Sequence, residues 1–136
     1  TAAECAPQSL GTLEPGTLTI ATDQPAYEPW VVGDAPESGE GFEAAVAYAV
    51  AEQLGYSEDQ VTWTRVPFNA AIQPGERPFD FDINQFSITE ERRQAVDFSS
   101  PYYTVSQAVI TTAGSAADGA AAIDDLKGLR IGAQVA

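Results

Sequence analysis

The chain has no histidine and no methionine, a single cysteine, and only six Lys and Arg against 20 Asp and Glu, for a formal net charge of −14 over 136 residues. Without His, the commonest transition-metal ligand and general base are missing. With Cys5 alone, an intramolecular disulfide and any multi-thiolate metal site are excluded. No cofactor is implied. The scarcity of basic residues argues against nucleic acid or an anionic membrane surface as partner, since both reward basic patches. Long apolar runs are also lacking: none approaches the ~18–20 residues that span a bilayer. No basic segment followed by an apolar stretch marks a secretion signal, and the sequence is expected to begin after one.

What is present is a packable chain. Hydrophobic content of 44% with 10% aromatics is too high for a disordered acidic tail, so the charge reads as a solvated shell around a core. The length suits one ordinary domain that buries roughly two-thirds of its unfolded surface. Charge is unevenly spread: the first 64 residues hold eleven Asp or Glu and no Lys or Arg. Arg92-Arg93 is therefore a rare island of positive potential. It lies in Ser87-Ile88-Thr89-Glu90-Glu91-Arg92-Arg93, where a hydroxyl, a helix start and an arginine converge, a set of parts suited to capturing a carboxylate.

Residues 1–16 mix Ala, Pro, Gly and Thr without periodicity and read as a flexible leader. Leu18 and Ile20 alternate with threonines and predict a strand over 17–22, followed by a Pro- and aromatic-rich loop over 23–30 and a hairpin-like excursion over 31–41. Phe42, Val46, Val50 and Leu54 recur every four residues, predicting a helix that Gly55 stops and whose Phe42-to-Leu54 face packs on a sheet. A second strand is expected over 61–67, a short helix capped by Asn69 and ended by Pro74-Gly75, and a third strand where Phe79, Phe81 and Ile83 alternate with Asp80, Asp82 and Asn84. Ser87 and Glu90 have capping-box spacing ahead of a helix over 90–95. A fourth strand is expected over 104–111, a small-residue linker over 113–122, one helical turn at Ile123–Gly128 and a fifth strand over 129–133. Strands alternating with helices imply an α/β fold with a mostly parallel sheet, whose ligands sit at the carboxyl ends of the strands.

These residues resemble the extracellular solute-binding proteins of bacterial amino-acid uptake, the two-lobed receptors of ABC importers. The matching stretches are Leu18-Thr19-Ile20-Ala21-Thr22-Asp23 with Pro29-Trp30, Gly41-Phe42-Glu43, Val66-Pro67-Phe68, the run from Ser87 through Asp97-Phe98-Ser99-Ser100-Pro101-Tyr102-Tyr103, and Asp125-Leu126-Lys127-Gly128-Leu129-Arg130-Ile131-Gly132. The resemblance implies a periplasmic-binding-protein-like lobe over 17–112, then a linker and an incomplete second lobe over 113–136. It implies a non-catalytic extracytoplasmic receptor that holds a free, polar amino acid and delivers it to an ABC permease. Arg92 and Ser87 would hold the ligand's α-carboxylate, Asp23 would face its amino group or side chain, and Tyr27 and Phe68 would wall its stem, with Trp30 in support. Gln85 stands where relatives carry Gly or Ser and would either reach the ligand or shrink the pocket; Gln134 is a weaker candidate.

Each assignment has an ordinary structural counterpart: a salt bridge for Arg92, a helix cap for Ser87, a turn acid for Asp23, core packing for Tyr27 and Phe68. Cys5 reads either as a lipid-anchored cysteine, which Glu4 fits poorly, or as an incidental thiol. A dehydratase built on the same fold, or the sensing lobe of a membrane receptor, are the competing functions. The former needs a general acid or base that the chain does not evidently supply. A half-receptor would expose apolar surface and strand edges, and self-association or strand exchange is expected of it.

Overall fold

A computed structural model describes residues 6–133; Cys5 and Gln134 lie outside the described residues. The chain divides into two compact units, Thr1–Ser99 and Ser100–Ala136.

The first unit is built on three parallel strands, β1 (Leu18–Thr22), β2 (Val61–Arg65) and β3 (Phe81–Asp82), in the order β2-β1-β3. Leu18 lies opposite Val61 and Thr22 opposite Arg65 on one side, and Ile20 lies opposite Phe81 on the other. β1 is central, so both of its edges are paired, and side-chain clusters cover its faces. Leu18 and Ile20 join Ala47, Ala51, Tyr56 and Ile83 in one cluster, and Ala21 joins Val66 and Ala71 in another. Ladder bonds continue past β3, from the Asp80 N–H to the Thr19 carbonyl (2.8 Å) and from the Ile83 N–H to the Ala21 carbonyl (2.9 Å). The sequence pattern thus finds the third strand but overstates its length.

Helix α1 (Phe42–Gln53) is where expected, but it turns a different face inward. Ala44, Ala47 and Ala51 are buried, while Phe42 and Val50 are exposed and Val46 and Leu54 flank the core. Apolar residues surround this helix, so hydrophobicity does not select a face; the small side chains do, by letting the helix settle close to the strands. Its first N–H groups are received by the preceding loop, Phe42 by the Pro29 carbonyl and Glu43 by the Trp30 carbonyl (3.0 Å each). Only glycine fits at 41: φ is +107°, and a Cβ there would lie 2.4 Å from the Trp30 oxygen.

Between β1 and α1 run two short 3-10 turns, Val32–Asp34 and Pro36–Ser38, closed by a Val32 N–H to Glu40 carbonyl bond (3.0 Å). Helix α2 (Phe68–Ala71) is a single turn that starts at Phe68, so Asn69 is inside it and does not cap it. Arg77 then gathers the carbonyls of Ala71 (3.1 Å), Gln73 (2.8 Å) and Ala95 (3.3 Å). Residues 6–16, expected to be a flexible leader, make contacts with the rest of the unit: Leu10 packs on the core, and the Asp80 carboxylate accepts from the N–H groups of Leu13 (2.8 Å) and Thr19 (2.7 Å).

The second unit contains a 3-10 turn at Ile123–Leu126 and no strand among the described residues, so the strands expected over 104–111 and 129–133 are corrected. Val105, Val109, Ile110 and Ile131 have the side chains of strands but are exposed, Ile110 at 93%. β-branched side chains favour an extended backbone, but a strand exists only when a neighbour completes its ladder.

Candidate functional site

The carboxyl ends of the three parallel strands lead into Asp23, into Val66-Pro67-Phe68 and into Ile83–Ser87, so the topology brings these segments to one edge of the sheet. Helix α3 (Glu90–Arg93) follows, a single turn whose cap differs from expectation. Thr89, rather than Ser87, is the N-cap: its Oγ1 accepts from the Arg92 N–H at 3.2 Å. Ser87 is exposed, two residues upstream of the cap, and it meets Arg92 through its carbonyl, which accepts from Nη1 at 2.9 Å.

The Arg92 side chain is half-buried and lies over two aromatic faces, 5.5 Å from the Phe68 centroid and 5.9 Å from that of Phe86. The two rings are themselves stacked at 4.1 Å. Such cation–π contacts contribute about 0.5–1 kcal/mol each at partly exposed sites and help hold the guanidinium beside the rings. Among the described residues Arg92 makes no ion pair with an acid. Phe86, the second leaf of this platform, was missed by sequence reasoning; its position directly before Ser87 was the available signal.

The segment 82–85 meets an acidic group that the sequence pattern did not isolate. Glu43, in the first turn of α1, is only 1% exposed, and its Oε2 accepts from Gln85 Nε2 in a short hydrogen bond. Gln85 is itself exposed, and its N–H donates to Asn84 Oδ1 at 2.9 Å. Asp82, which alternates with Phe81 and Ile83 in the third strand, has both carboxylate oxygens buried without a hydrogen-bond partner among the described residues. Burial first, then the negative charges of Glu43 and Asp23, push its carboxyl from the ordinary 3.8 up to about 7. Asp23, half-buried at the end of β1, accepts from the Gln24 N–H at 2.7 Å, the turn-acid role, while its charge reaches Asp82.

The remaining candidates are less converged. Tyr27 is 66% exposed, and among the described residues its ring stacks on no other ring; its carbonyl accepts from the N–H groups of Trp30 and Val31. Trp30 packs edge-on against Phe42 at 5.9 Å, on the α1 side of the loop. That loop is held from outside by Asp34, whose carboxylate accepts from the Ala26 N–H (2.8 Å) and pairs with Arg65. The Ala26 bond chiefly, with Arg65, keeps the Asp34 carboxyl below its usual range. No group of His, Cys, Asp and Glu suited to holding a metal ion occurs among the described residues.

The family described as bacterial extracellular solute-binding proteins, family 3, matches residues 18–125. The arginine-binding extracellular protein ArtP of Bacillus subtilis (strain 168) is 30% identical over 96 residues, 70% of this chain and 35% of that protein. The arginine-binding periplasmic protein of Mannheimia haemolytica is 33% identical over 67% of this chain and 38% of its own length. The lysine/arginine/ornithine-binding periplasmic protein of Escherichia coli (strain K12) is 29% identical over 87% of this chain and 44% of its own length. The chain thus spans between 35% and 45% of the length of the curated relatives it matches. No solved structure matches significantly.

Proposed function

Since the chain belongs to the bacterial extracellular solute-binding proteins of family 3, we propose that it forms the ligand-contacting part of an extracytoplasmic, non-catalytic receptor that delivers a free amino acid to an ABC permease. The ligand is a polar amino acid, and the acidic surroundings favour one with a cationic side chain. Arg92 holds the α-carboxylate. Nη1 is bonded to the Ser87 carbonyl and the guanidinium lies against Phe68 and Phe86, so the other guanidinium N–H groups are available for a two-bond grip on a carboxylate. Ser87, exposed beside it, adds its hydroxyl.

Asp23 receives the ligand's amino group or side-chain cation, in a chain whose net charge of −14 favours cations. Phe68, half-buried in the aromatic stack, walls the ligand's stem, and Tyr27 borders it from the Asp23 loop. The named ligands of the relatives, arginine and lysine among them, agree with this polarity.

The observation that carries the reading is a half-buried arginine that, in a chain of net charge −14, has no acid partner among the described residues. The test is a thermal-shift screen of the twenty amino acids on the intact protein, followed by calorimetry of the best ligand. Arg92→Ala is expected to weaken that ligand at least about 30-fold. Ligand stabilisation that survives Arg92→Ala unchanged places the site elsewhere.

A further inference from the structure

Glu43 and Gln85 form a pair whose chemistry is fixed by which of them is able to donate. Glu43 is buried to 1% exposure at the start of α1. An acid in that position is favoured by the helix dipole, yet its buried charge still requires hydrogen-bond donors. The Gln85 end that meets Oε2 is the NH2 group, with Glu43 as the acceptor. The reversed amide would set oxygen against oxygen. Gln85 is exposed, and with Nε2 committed inward its carbonyl oxygen is the pole left for a ligand.

We infer that Glu43 is a positioning residue that holds Gln85 with its amide oxygen outward, making Gln85 a specificity-determining residue that selects amino acids whose side chains end in N–H donors. This rests on the receptor reading above and adds to it a residue pair that works apart from the carboxylate grip of Arg92. A free glutamine rotates and offers either pole, so it tolerates acceptor and donor side chains alike. An anchored one offers only the acceptor, and a side chain ending in carboxylate meets an oxygen it has no proton to bond.

The experiment compares L-arginine with L-norvaline, which has the same α-groups but a side chain ending in methyl, by calorimetry on the intact protein. Gln85→Leu is expected to weaken arginine about tenfold and leave norvaline within about twofold. Gln85→Asn keeps an amide but is too short to reach Glu43, and is expected to lose several-fold of the same preference. Glu43→Gln, whose own amide accepts either pole of Gln85, is expected to reproduce that loss without adding to it in the double variant with Gln85→Leu.

An arginine-to-norvaline ratio unchanged in Gln85→Leu overturns the assignment of Gln85. Full preference retained in Gln85→Asn, or a Glu43→Gln loss that is equal for both ligands, overturns the positioning role of Glu43. If arginine and norvaline both bind and both depend on Arg92, the receptor reading survives either result. If the wild-type protein binds neither, both fall together.

Discussion

The two units of this chain contain similar strand-forming sequences with different outcomes. In the first, Leu18–Thr22 is flanked on both sides by parallel neighbours, and Ile20 is fully buried between them and α1. In the second, Val105, Val109 and Ile110 lie in a stretch without regular secondary structure and remain exposed. Both stretches are rich in β-branched residues. The difference is the neighbour: buried area and ladder bonds come from pairing, and side-chain propensity alone supplies neither. Stability in this chain is therefore expected to reside in the first unit.

The sharpest way to break that comparison is a pair of truncations. Ile20→Ala empties a site with no room to collapse and is expected to cost about 3–4 kcal/mol in urea unfolding. Ile110→Ala removes a side chain that is 93% exposed and is expected to stay within about 0.5 kcal/mol of wild type. Equal effects would mean that Ile110 is buried in the folded protein.

The carboxylates extend the contrast with a change of sign. Asp82 in the first unit keeps its proton to about 7 when folded, against 3.8 for the ordinary group. Between those values the folded chain binds more protons than the unfolded one, so the contribution of Asp82 to stability falls as pH rises, by at most about 1.4 kcal/mol per unit, and levels off above 7. Asp82→Asn is expected to stabilise the protein by about 2 kcal/mol at pH 8, with the gain vanishing near pH 4. Asp125 in the second unit is the reverse: the N–H groups of Ala121 and Ala122 lower its carboxyl. Asp125→Asn is therefore expected to give a smaller loss, present near neutrality and gone in acid. Melting temperatures of the two variants between pH 4 and 8 check both signs.

The smallest expected effect concerns the cap. Thr89→Ala should cost about 1 kcal/mol by releasing the Arg92 N–H, whereas Ser87→Ala, which leaves the carbonyl in place, should leave stability unchanged. Paired denaturation curves decide between them, and a reversed order would restore Ser87 as the cap.

How much of this was legible beforehand follows from what each signal measures. Period-two alternation located β1 and β2 and the centre of β3, because strands buried by their neighbours keep that pattern. The four-residue recurrence found α1 but misjudged its face, since it weighs Phe42 and Val50 above the alanines that fit against the sheet. Capping-box spacing chose Ser87, while Thr89, the hydroxyl immediately before the helix, was the better-placed residue. The run from Ser87 to Arg92 and the residues Asp23, Phe68 and Gln85 were nominated through family resemblance, and the ligand screen is what tests them. Glu43, Asp82 and Phe86 were not, because their roles depend on contacts between segments distant in sequence, and alternation places a charged residue on the wet face by default. Family membership emerged from the motifs; the burial of two carboxylates required the folded arrangement.

The loop carrying Asp23, Tyr27 and Trp30 is sewn at its far end to the first turn of α1 through the Pro29 and Trp30 carbonyls, with Gly41 allowing the close approach. It therefore behaves as scaffold and not as a lid. On the proposed reading, a small molecule arriving at this rim meets a wall that is already shaped, so little freedom is left to lose on this side of the encounter.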